Sequence, residues 1–182
     1  MKSINQLLSS IKPIEVIGSN KKNITDVVSD SRRVTPGSLF VAVRGTTVDG
    51  HSFIPLLQYS GVGAIVCEEL PELLISSITY IRVENSAVAL GYLASEWYDN
   101  PSRRLKLVGV TGTNGKTTTA TLIYEMARLM GYKAGLLSTV CNYIDDEAVP
   151  TAVTTPDPLT INALLSRMVS AGCSYAAMEV SS

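Results

Sequence analysis

The residues best suited to chemistry form one glycine-rich stretch between an apolar run and a helical pattern. In a loop with this layout, backbone N–H groups and the start of the following helix bind phosphate oxygens. Lys116 would reach the β- and γ-phosphates, and the hydroxyl of Thr117 would bind Mg²⁺. The stretch therefore predicts an ATP site with Mg²⁺ and with Lys116 as the catalytic cation. Its nucleotide-binding residues are Gly112, Thr113, Asn114, Gly115, Lys116, Thr117 and Thr118.

One position departs from the strict phosphate-loop pattern. That pattern has a glycine where this chain has Val110, and the nearest glycines are Gly109 and Gly112. The alternative interpretation is an ordinary glycine turn that joins a strand to a helix. The strand, loop and helix in this order favour the nucleotide site.

A second candidate residue follows the last apolar run of the chain. Glu179 comes at the end of a predicted strand over residues 175–180. In a parallel sheet, ligands bind at the carboxyl ends of the strands, so Glu179 and the glycine-rich stretch could face one site. We predict Glu179 and Thr117 as metal ligands; the alternative for Glu179 is a solvated carboxylate at a strand end.

The elements that must position these residues alternate between strands and helices. Such alternation predicts an α/β fold with a mainly parallel sheet flanked by helices. The predicted strands are 24–29, 39–43, 64–67, 80–83, 105–110, 133–138 and 175–180, and the predicted helices are 3–11, 52–59, 86–97, 116–130 and 159–171. Residues 140–148 are a short hairpin or an irregular loop. In the first helix Ser3 is the expected N-cap, and in the last helix Asp157 is the N-cap and Pro158 the first residue.

A break in the pattern divides the chain into two segments. Asp99-Asn-Pro-Ser102 ends a helix and precedes the strand that leads into the glycine-rich stretch. We therefore expect a small mixed α/β domain over residues 1–102. The first part of an ATP-binding domain would cover residues 103–182.

Composition narrows the classes of partner and compartment. The 182 residues include 15 Lys and Arg against 16 Asp and Glu, and 46% are hydrophobic. Because the net charge is near zero and no basic run occurs, nucleic acid and anionic membrane surfaces are not expected partners. No apolar run reaches membrane-spanning length, and three widely spaced cysteines predict free thiols in a reducing cytoplasm. The chain closes on a strand running into a polar turn, so we expect it to be the front part of a longer protein.

Short motifs spread over nearly the whole chain together resemble the Mur ligases of peptidoglycan synthesis. They are Asp30-Ser-Arg32, Pro36-Gly-Ser-Leu-Phe-Val-Ala42, Asp49-Gly-His-Ser-Phe-Ile54, Gly109 to Thr118, Thr154-Thr-Pro-Asp157 and Met178-Glu-Val-Ser-Ser182. The first two are shared with the family member that adds D-Ala-D-Ala. The last two favour the member that adds the third amino acid of the stem peptide. The phosphate loop of this family begins at the position of Gly112, so the valine at position 110 is no departure from it.

The resemblance implies a reaction and a division of labour. ATP would phosphorylate a free carboxylate of UDP-MurNAc-L-Ala-D-Glu, and the amine of a diamino acid, meso-diaminopimelate or L-lysine, would displace phosphate from the acyl phosphate. The first domain would bind the UDP moiety and the second would bind ATP. The chain positions that match substrate contacts of the family are Ser29, Ser31, Thr46, Thr47, Val48, Thr154, Thr155 and Ser181.

The resemblance also has a departure and leaves alternatives open. The family usually has Asn before the two threonines, and this chain has Val153, which removes one side-chain amide from the expected substrate contacts. A carbamylated lysine, a metal-binding histidine and a C-terminal domain of the family would follow residue 182, so we expect the fragment alone not to ligate. The alternatives are the sister ligase that adds D-Ala-D-Ala, a small P-loop kinase, and a non-catalytic UDP-sugar-binding module. The sequence does not fix the oligomeric state, and a monomer is the expectation.

Overall fold

In the computed structural model of the chain, residues 1–45, 48–151 and 156–180 are described. The chain divides into two compact units, Met1–Trp97 and Tyr98–Ser182. The domain boundary that the sequence predicts near residue 102 lies just inside the second unit.

The first unit is built on a five-stranded sheet. Its strands follow the order β2-β7-β6-β5-β4; β4 to β7 are parallel and β2 is antiparallel to β7. A short pair, β1 with β3, lies outside this sheet. The bounds are β1 Lys2–Ser3, β2 Glu15–Ile17, β3 Asn23–Ile24, β4 Val27–Val28, β5 Leu39–Val41, β6 Ala64–Cys67 and β7 Thr79–Arg82. The predicted strand over 24–29 is therefore wrong in extent, because β3 and β4 are two short strands with different partners.

Among the described residues of the first unit, three α-helices and two 3₁₀ turns complete the fold. They are α1 Ile4–Leu8, α2 Ile54–Leu57, α3 Ser86–Trp97, and the turns Ser31–Arg33 and Gly50–Phe53. The prediction for α3 is confirmed, and Ser3 caps α1 by accepting a bond from the backbone N of Gln6. The predicted helix 3–11 is too long. It ends at Leu8 because the hydroxyls of Ser9 and Ser10 bond to the carbonyls of Gln6 and Leu7 in the last turn.

The core of this unit explains why its central strands are continuous apolar runs. A strand covered on both faces has no solvent side and needs no alternation. All residues of β5 and β6 are buried. Phe40 and Ile65 pack with Leu57 of α2 and with Tyr80 of β7 in one cluster.

The second unit is built on another five-stranded sheet, in the order β11-β10-β9-β12-β8. β12 lies between β8 and β9 and is parallel to both, whereas β10 and β11 form an antiparallel hairpin beside β9. The hairpin resolves the alternative left open for residues 140–148. The bounds are β8 Lys106–Val110, β9 Ala134–Leu137, β10 Asn142–Ile144, β11 Glu147–Val149 and β12 Tyr175–Glu179.

Two helices cover opposite faces of this sheet, and a 3₁₀ turn, Pro101–Arg104, precedes β8. α4 spans Lys116–Leu129 and α5 spans Pro158–Ser170. Adjacent residues of β12 point to opposite faces: Ala177 packs with Ala120 and Tyr124 of α4, whereas Ala176 packs with Leu165 and Met168 of α5. Among the described residues, no helix is long and apolar enough to cross a membrane. The α/β fold with a mainly parallel sheet is confirmed.

Candidate active site

The glycine-rich stretch lies between the end of β8 and the start of α4. Gly115 is the N-cap of α4 with a φ of 77°, and Gly112 has a φ of 140°, both in the region that favours glycine. A Cβ at Gly115 would meet no other atom within 4 Å. The ammonium of Lys116 donates to the carbonyl of Gly112 at 2.6 Å. The loop therefore has the conformation and the free space of a phosphate-binding turn.

The carboxylate of Glu179 is held at the same edge of the sheet. Glu179 is in register with Val110, and the next residue, Val180, donates its backbone N–H to the carbonyl of Val110 at 2.8 Å. The backbone N of Thr139 donates to Oε1 of Glu179 at 3.1 Å, and its hydroxyl lies 3.4 Å from Oε2. β8, β9 and β12 thus bring the glycine-rich stretch, Thr139 and Glu179 to one edge.

A cavity of about 250 Å³ joins these groups within the second unit. Lys116 and Glu179 both line it, as the sequence predicts for residues at the carboxyl ends of adjacent strands. Much of its remaining wall is apolar. The other lining residues are Leu137, Ser138, Thr139, Asn142, Pro156, Ile161, Met178 and Val180.

Sequence reasoning missed the turn that follows β9. Ser138 accepts bonds from the backbone N of Val140 and Cys141, and its own N–H donates to the side chain of Asn142 at 3.0 Å. This turn directs the N–H of Thr139 towards Glu179. The signal was available, because Ser138 ends a predicted parallel strand and Thr139 directly follows it, at the ligand-binding edge.

In the first unit, the predicted substrate-contacting residues follow two adjacent parallel strands. Ser29 directly follows β4 and is half-buried, and Ser31 begins the 3₁₀ turn that Asp30 caps. Val48, which is 52% exposed, follows β5, the neighbour of β4 in the sheet. Thr46 and Thr47 lie outside the described residues. Ser29, Ser31 and Val48 therefore lie in segments that leave the same edge of the sheet.

The threonine-rich segment before α5 is described only at its end. Thr154, Thr155 and Ser181 lie outside the described residues. Asp157 accepts a bond from the backbone N of Thr160 at 2.8 Å, and Pro158 is the first residue of α5. The predicted start of α5 is therefore confirmed, with Asp157 as its cap.

Asp30 and Arg32 form an ion pair at the turn of the Asp30-Ser-Arg32 motif. Arg32 donates to both carboxylate oxygens of Asp30, at 3.0 Å and 2.7 Å. These bonds, together with the backbone N–H of Arg32, lower the pKa of Asp30 to about 2. Asp30 is therefore ionised at neutral pH and holds the turn that presents Ser31.

Two side chains of the second unit carry oxygen atoms of the kind that Mg²⁺ prefers. Glu179, which lines the cavity, has a carboxylate, and Thr117 has a hydroxyl in the first turn of α4. In the described part of the chain, no three His, Cys, Asp or Glu side chains cluster as a metal site. This sparse set fits Mg²⁺ bound beside a phosphate, because Mg²⁺ takes one or two protein oxygens and fills its shell with phosphate and water.

Comparison with known proteins assigns both units to one family. Residues 23–98 match the description "Mur ligase family, catalytic domain", and residues 110–182 match "Mur ligase middle domain". A UDP-N-acetylmuramoyl-L-alanyl-D-glutamate--2,6-diaminopimelate ligase of Parabacteroides distasonis is 60% identical over 179 residues, which are 98% of this chain. The chain spans only 37% of the length of that relative.

Solved structures share the fold. A structure of a UDP-N-acetylmuramoyl-L-alanyl-D-glutamate--2,6-diaminopimelate ligase superposes with a TM-score of 0.71 at 22% identity, over 98% of this chain and 36% of that chain. A MurF ligase from Thermotoga maritima in complex with ADP superposes with a TM-score of 0.55 at 27% identity, over 86% of this chain and 32% of that one. With the motifs, the loop geometry and the matches to both units, these comparisons show that the chain belongs to the Mur ligase family.

Proposed function

We propose that this chain supplies the UDP-substrate-binding and ATP-binding parts of a cytoplasmic, ATP-dependent ligase of peptidoglycan precursor synthesis. The ligase would join 2,6-diaminopimelate to UDP-MurNAc-L-Ala-D-Glu. The observation that carries this proposal is the cavity that both Lys116 and Glu179 line, at the carboxyl ends of parallel strands. The name of the 60% identical relative supports diaminopimelate as the added amino acid.

The two units would divide the binding. In the first, residues 1–102 as the sequence divides the chain, Ser29, Ser31 and residues 46–48 would contact the UDP moiety. In the second, residues 112–118 would bind ATP, and Thr154, Thr155 and Ser181 would contact the substrate. The support in the first unit is that Ser29, Ser31 and Val48 follow adjacent parallel strands, where ligands of α/β sheets bind.

The residues of the second unit suit transfer of a phosphoryl group to a carboxylate. This reaction needs positioning and charge neutralisation more than a protein nucleophile. The ammonium of Lys116 and the N–H groups of the loop would bind the phosphate oxygens. Mg²⁺, held by Thr117 and Glu179, would supply further charge neutralisation. The D-Glu carboxylate would take the γ-phosphoryl group and release ADP, and the amine of diaminopimelate would then displace inorganic phosphate.

The apolar wall of the cavity suits a reaction that passes through an activated intermediate. An acyl phosphate is lost to hydrolysis wherever water reaches it, so the site must exclude water. Leu137, Ile161 and Met178 line the cavity that Lys116 and Glu179 share. This wall would limit water around the activated carboxylate.

Binding measurements on the 182-residue chain test the division of labour. We expect UDP-MurNAc-L-Ala-D-Glu and MgATP to bind independently in calorimetric titrations. Lys116→Ala should weaken MgATP binding about tenfold or more, because a phosphate-binding cation is lost, and should leave the UDP compound unaffected. Lys133→Ala is the matched control, because it removes another lysine of the second unit, whose ammonium pairs with Asp145 at 3.4 Å. Loss of both ligands in Lys116→Ala, or of neither, contradicts the proposal.

Ligation itself is tested in the full-length protein. We expect ATP-dependent consumption of 2,6-diaminopimelate with UDP-MurNAc-L-Ala-D-Glu, and a fall in turnover of about 100-fold or more in Lys116→Ala. The 182-residue chain alone should bind and not ligate. Turnover of D-Ala-D-Ala with the UDP-linked tripeptide, in place of diaminopimelate, identifies the sister ligase. ATP-dependent phosphorylation of a substrate without UDP identifies a kinase.

A further inference from the structure

A network of charged and polar side chains fastens the segment that follows β5 in the first unit. We name this the Arg44 corner and define it as Arg44, Asp49, His51, Glu68 and Glu69. Two backbone contacts join the chain here: Arg44 pairs with Asp49 in an antiparallel bridge, and Gly45 donates its N–H to the carbonyl of Val48 at 3.1 Å. Backbone bonds therefore link Val48 and Asp49 to the residues that follow β5, and the side chains of the corner link them to neighbouring segments.

His51 ties this turn to the end of the adjacent strand β6. Its Nε2 accepts the backbone N–H of Glu68 at 2.9 Å, and its Nδ1 lies 2.7 Å from Oδ1 of Asp49. Because Nε2 accepts a bond, it carries no proton, and the ring is the neutral tautomer that donates from Nδ1 to Asp49. The side chain of His51 is only 13% exposed. A half-turn of the ring would leave both partners without their bonds, so the ring orientation is specified.

Glu68 extends the link to the start of α3. Its Oε1 accepts from both the backbone N and the hydroxyl of Ser86, at 2.9 Å and 2.8 Å, and its Oε2 lies 3.1 Å from Nε of Arg44. Arg44 also pairs with Glu69. The bond from the N–H of Ser86 is the largest cause that lowers the pKa of Glu68, and the bond from the N–H of His51 is the largest that lowers the pKa of Asp49. Both carboxylates therefore act as ionised acceptors.

These contacts give His51 a defined task. Asp49 and Glu68 belong to segments after different strands. The guanidinium of Arg44 pairs with both carboxylates, and the imidazole is bonded to the carboxylate of Asp49 and to the backbone of Glu68. Without the bond from the Glu68 N–H, Asp49 keeps only its link through Arg44 to the end of β6. A ligand that needs one placement of Val48 then binds more weakly, in proportion to the fraction of molecules that keep it.

We propose that His51 is a positioning residue for the UDP substrate, and that its Nε2 bond to the backbone of Glu68 holds Val48 where the substrate binds it. The proposal rests on the proposed function of the first unit, because Val48 is one of its expected substrate contacts. It assigns His51 no contact with the substrate.

Three substitutions separate the two ring bonds. His51→Leu removes both, and we expect the Kd for UDP-MurNAc-L-Ala-D-Glu to rise about tenfold. His51→Gln places an amide oxygen near the position of Nε2 and should restore binding to within about threefold of wild type. His51→Asn keeps a donor for Asp49 alone and should bind as weakly as His51→Leu. Ser60→Ala, which removes a hydroxyl bond to the carbonyl of Leu57 away from the corner, is the matched control.

The affinity for MgATP separates positioning from unfolding. We expect it to be unchanged in every variant, since the phosphate loop lies in the other unit. A wild-type Kd for the UDP compound in His51→Leu overturns the proposal, and so does a failure of His51→Gln to bind better than His51→Asn.

The hydrogen-exchange rate of the Glu68 amide tests the bond to His51 without any ligand. The N–H of Glu68 should exchange faster in His51→Leu and His51→Asn than in wild type and His51→Gln. This result supports the positioning role even if the wild-type chain does not bind the UDP compound, an outcome that counts against the proposed function instead. Equal exchange in all four proteins overturns the positioning role.

Discussion

Glycine serves opposite purposes in the glycine-rich loop of the second unit and beside the Arg44 corner of the first. A Cβ at Gly112 or Gly115 would meet nothing closer than 4.0 Å, so these residues leave space that the protein itself does not fill. A Cβ at Gly50 would lie 2.8 Å from the backbone N and O of Val43, and one at Gly45 would lie 2.9 Å from the carbonyl of Val48. The glycines of the loop border open space, whereas Gly45 and Gly50 let the chain pass close to its own backbone.

The two regions also differ in the interactions that hold them. The loop depends on backbone conformation, and Thr113, Asn114 and Gly115 are exposed. The corner depends on side-chain bonds among residues that are distant in sequence. Substitutions in the loop should therefore change binding before stability, and substitutions in the corner should change stability and binding together.

The largest effect is expected for Gly50→Ala. The added methyl group overlaps backbone atoms of Val43, which cannot move without disturbing β5, so we expect the free energy of unfolding to fall by about 2–4 kcal/mol. Urea unfolding followed by circular dichroism measures it. A loss below about 0.5 kcal/mol would show that the backbone around Gly50 can move apart without strain. The close contact with Val43 would then not require glycine.

Gly115→Ala should give a smaller loss of stability and a larger loss of binding. The left-handed φ of 77° disfavours alanine by about 1 kcal/mol, and the methyl group enters the space left for the ligand. We expect the Kd for MgATP to rise tenfold or more with the UDP compound unaffected. The comparison fails if stability falls as far as in Gly50→Ala while MgATP binding is retained.

At Gly91, neither the backbone conformation nor a close contact requires glycine. It lies within α3, has no positive φ, and a Cβ there would meet nothing within 4 Å. Gly91→Ala should therefore stabilise the chain by about 0.5–1 kcal/mol, because alanine loses less backbone entropy in a helix. Urea unfolding beside Gly50→Ala gives the sign directly, and a destabilised Gly91→Ala would mean that this position also needs glycine.

The smallest effect is expected where a turn is held by an exposed charge pair. Asp30 has its pKa lowered to about 2 by Arg32, so its contribution to stability is present above its ordinary pKa of 3.8 and is lost as the pH falls towards 2. Because the pair is exposed, solvent screens it and little stability is involved. Arg32→Ala should raise the pKa of Asp30 towards its ordinary value, as NMR titration of the carboxyl carbon can show. An unchanged pKa would mean that the backbone N–H of residue 32 alone sets it.

Local patterns in the sequence predicted much of the second unit. Apolar runs of strand length and an intervening helical period place β8, α4 and β12, and the parallel arrangement then brings Lys116 and Glu179 to one edge. Cap residues fix element ends by a bond to a neighbouring N–H, so the start of α5 at Pro158 follows from Asp157 alone.

What the sequence could not predict depends on contacts between distant residues. The split of β3 from β4 and the partners of His51 are set by which strands become neighbours. Nothing near His51 in the sequence indicates that the backbone N–H of Glu68 will donate to its ring. The bond from Thr139 to Glu179 spans 40 residues and depends on β9 pairing with β12.

The spacing of the Arg44 corner along the chain has a consequence for folding order. Its links join Arg44 to Glu69 across 25 residues, His51 to Glu68 across 17, and Glu68 to Ser86 across 18. Each such loop must close, at an entropy cost, before its bond can form, so the network follows the pairing of β5 with β6 and the start of α3. Val48, a proposed substrate contact, would thus reach its position late in folding, after the strands of the sheet have paired.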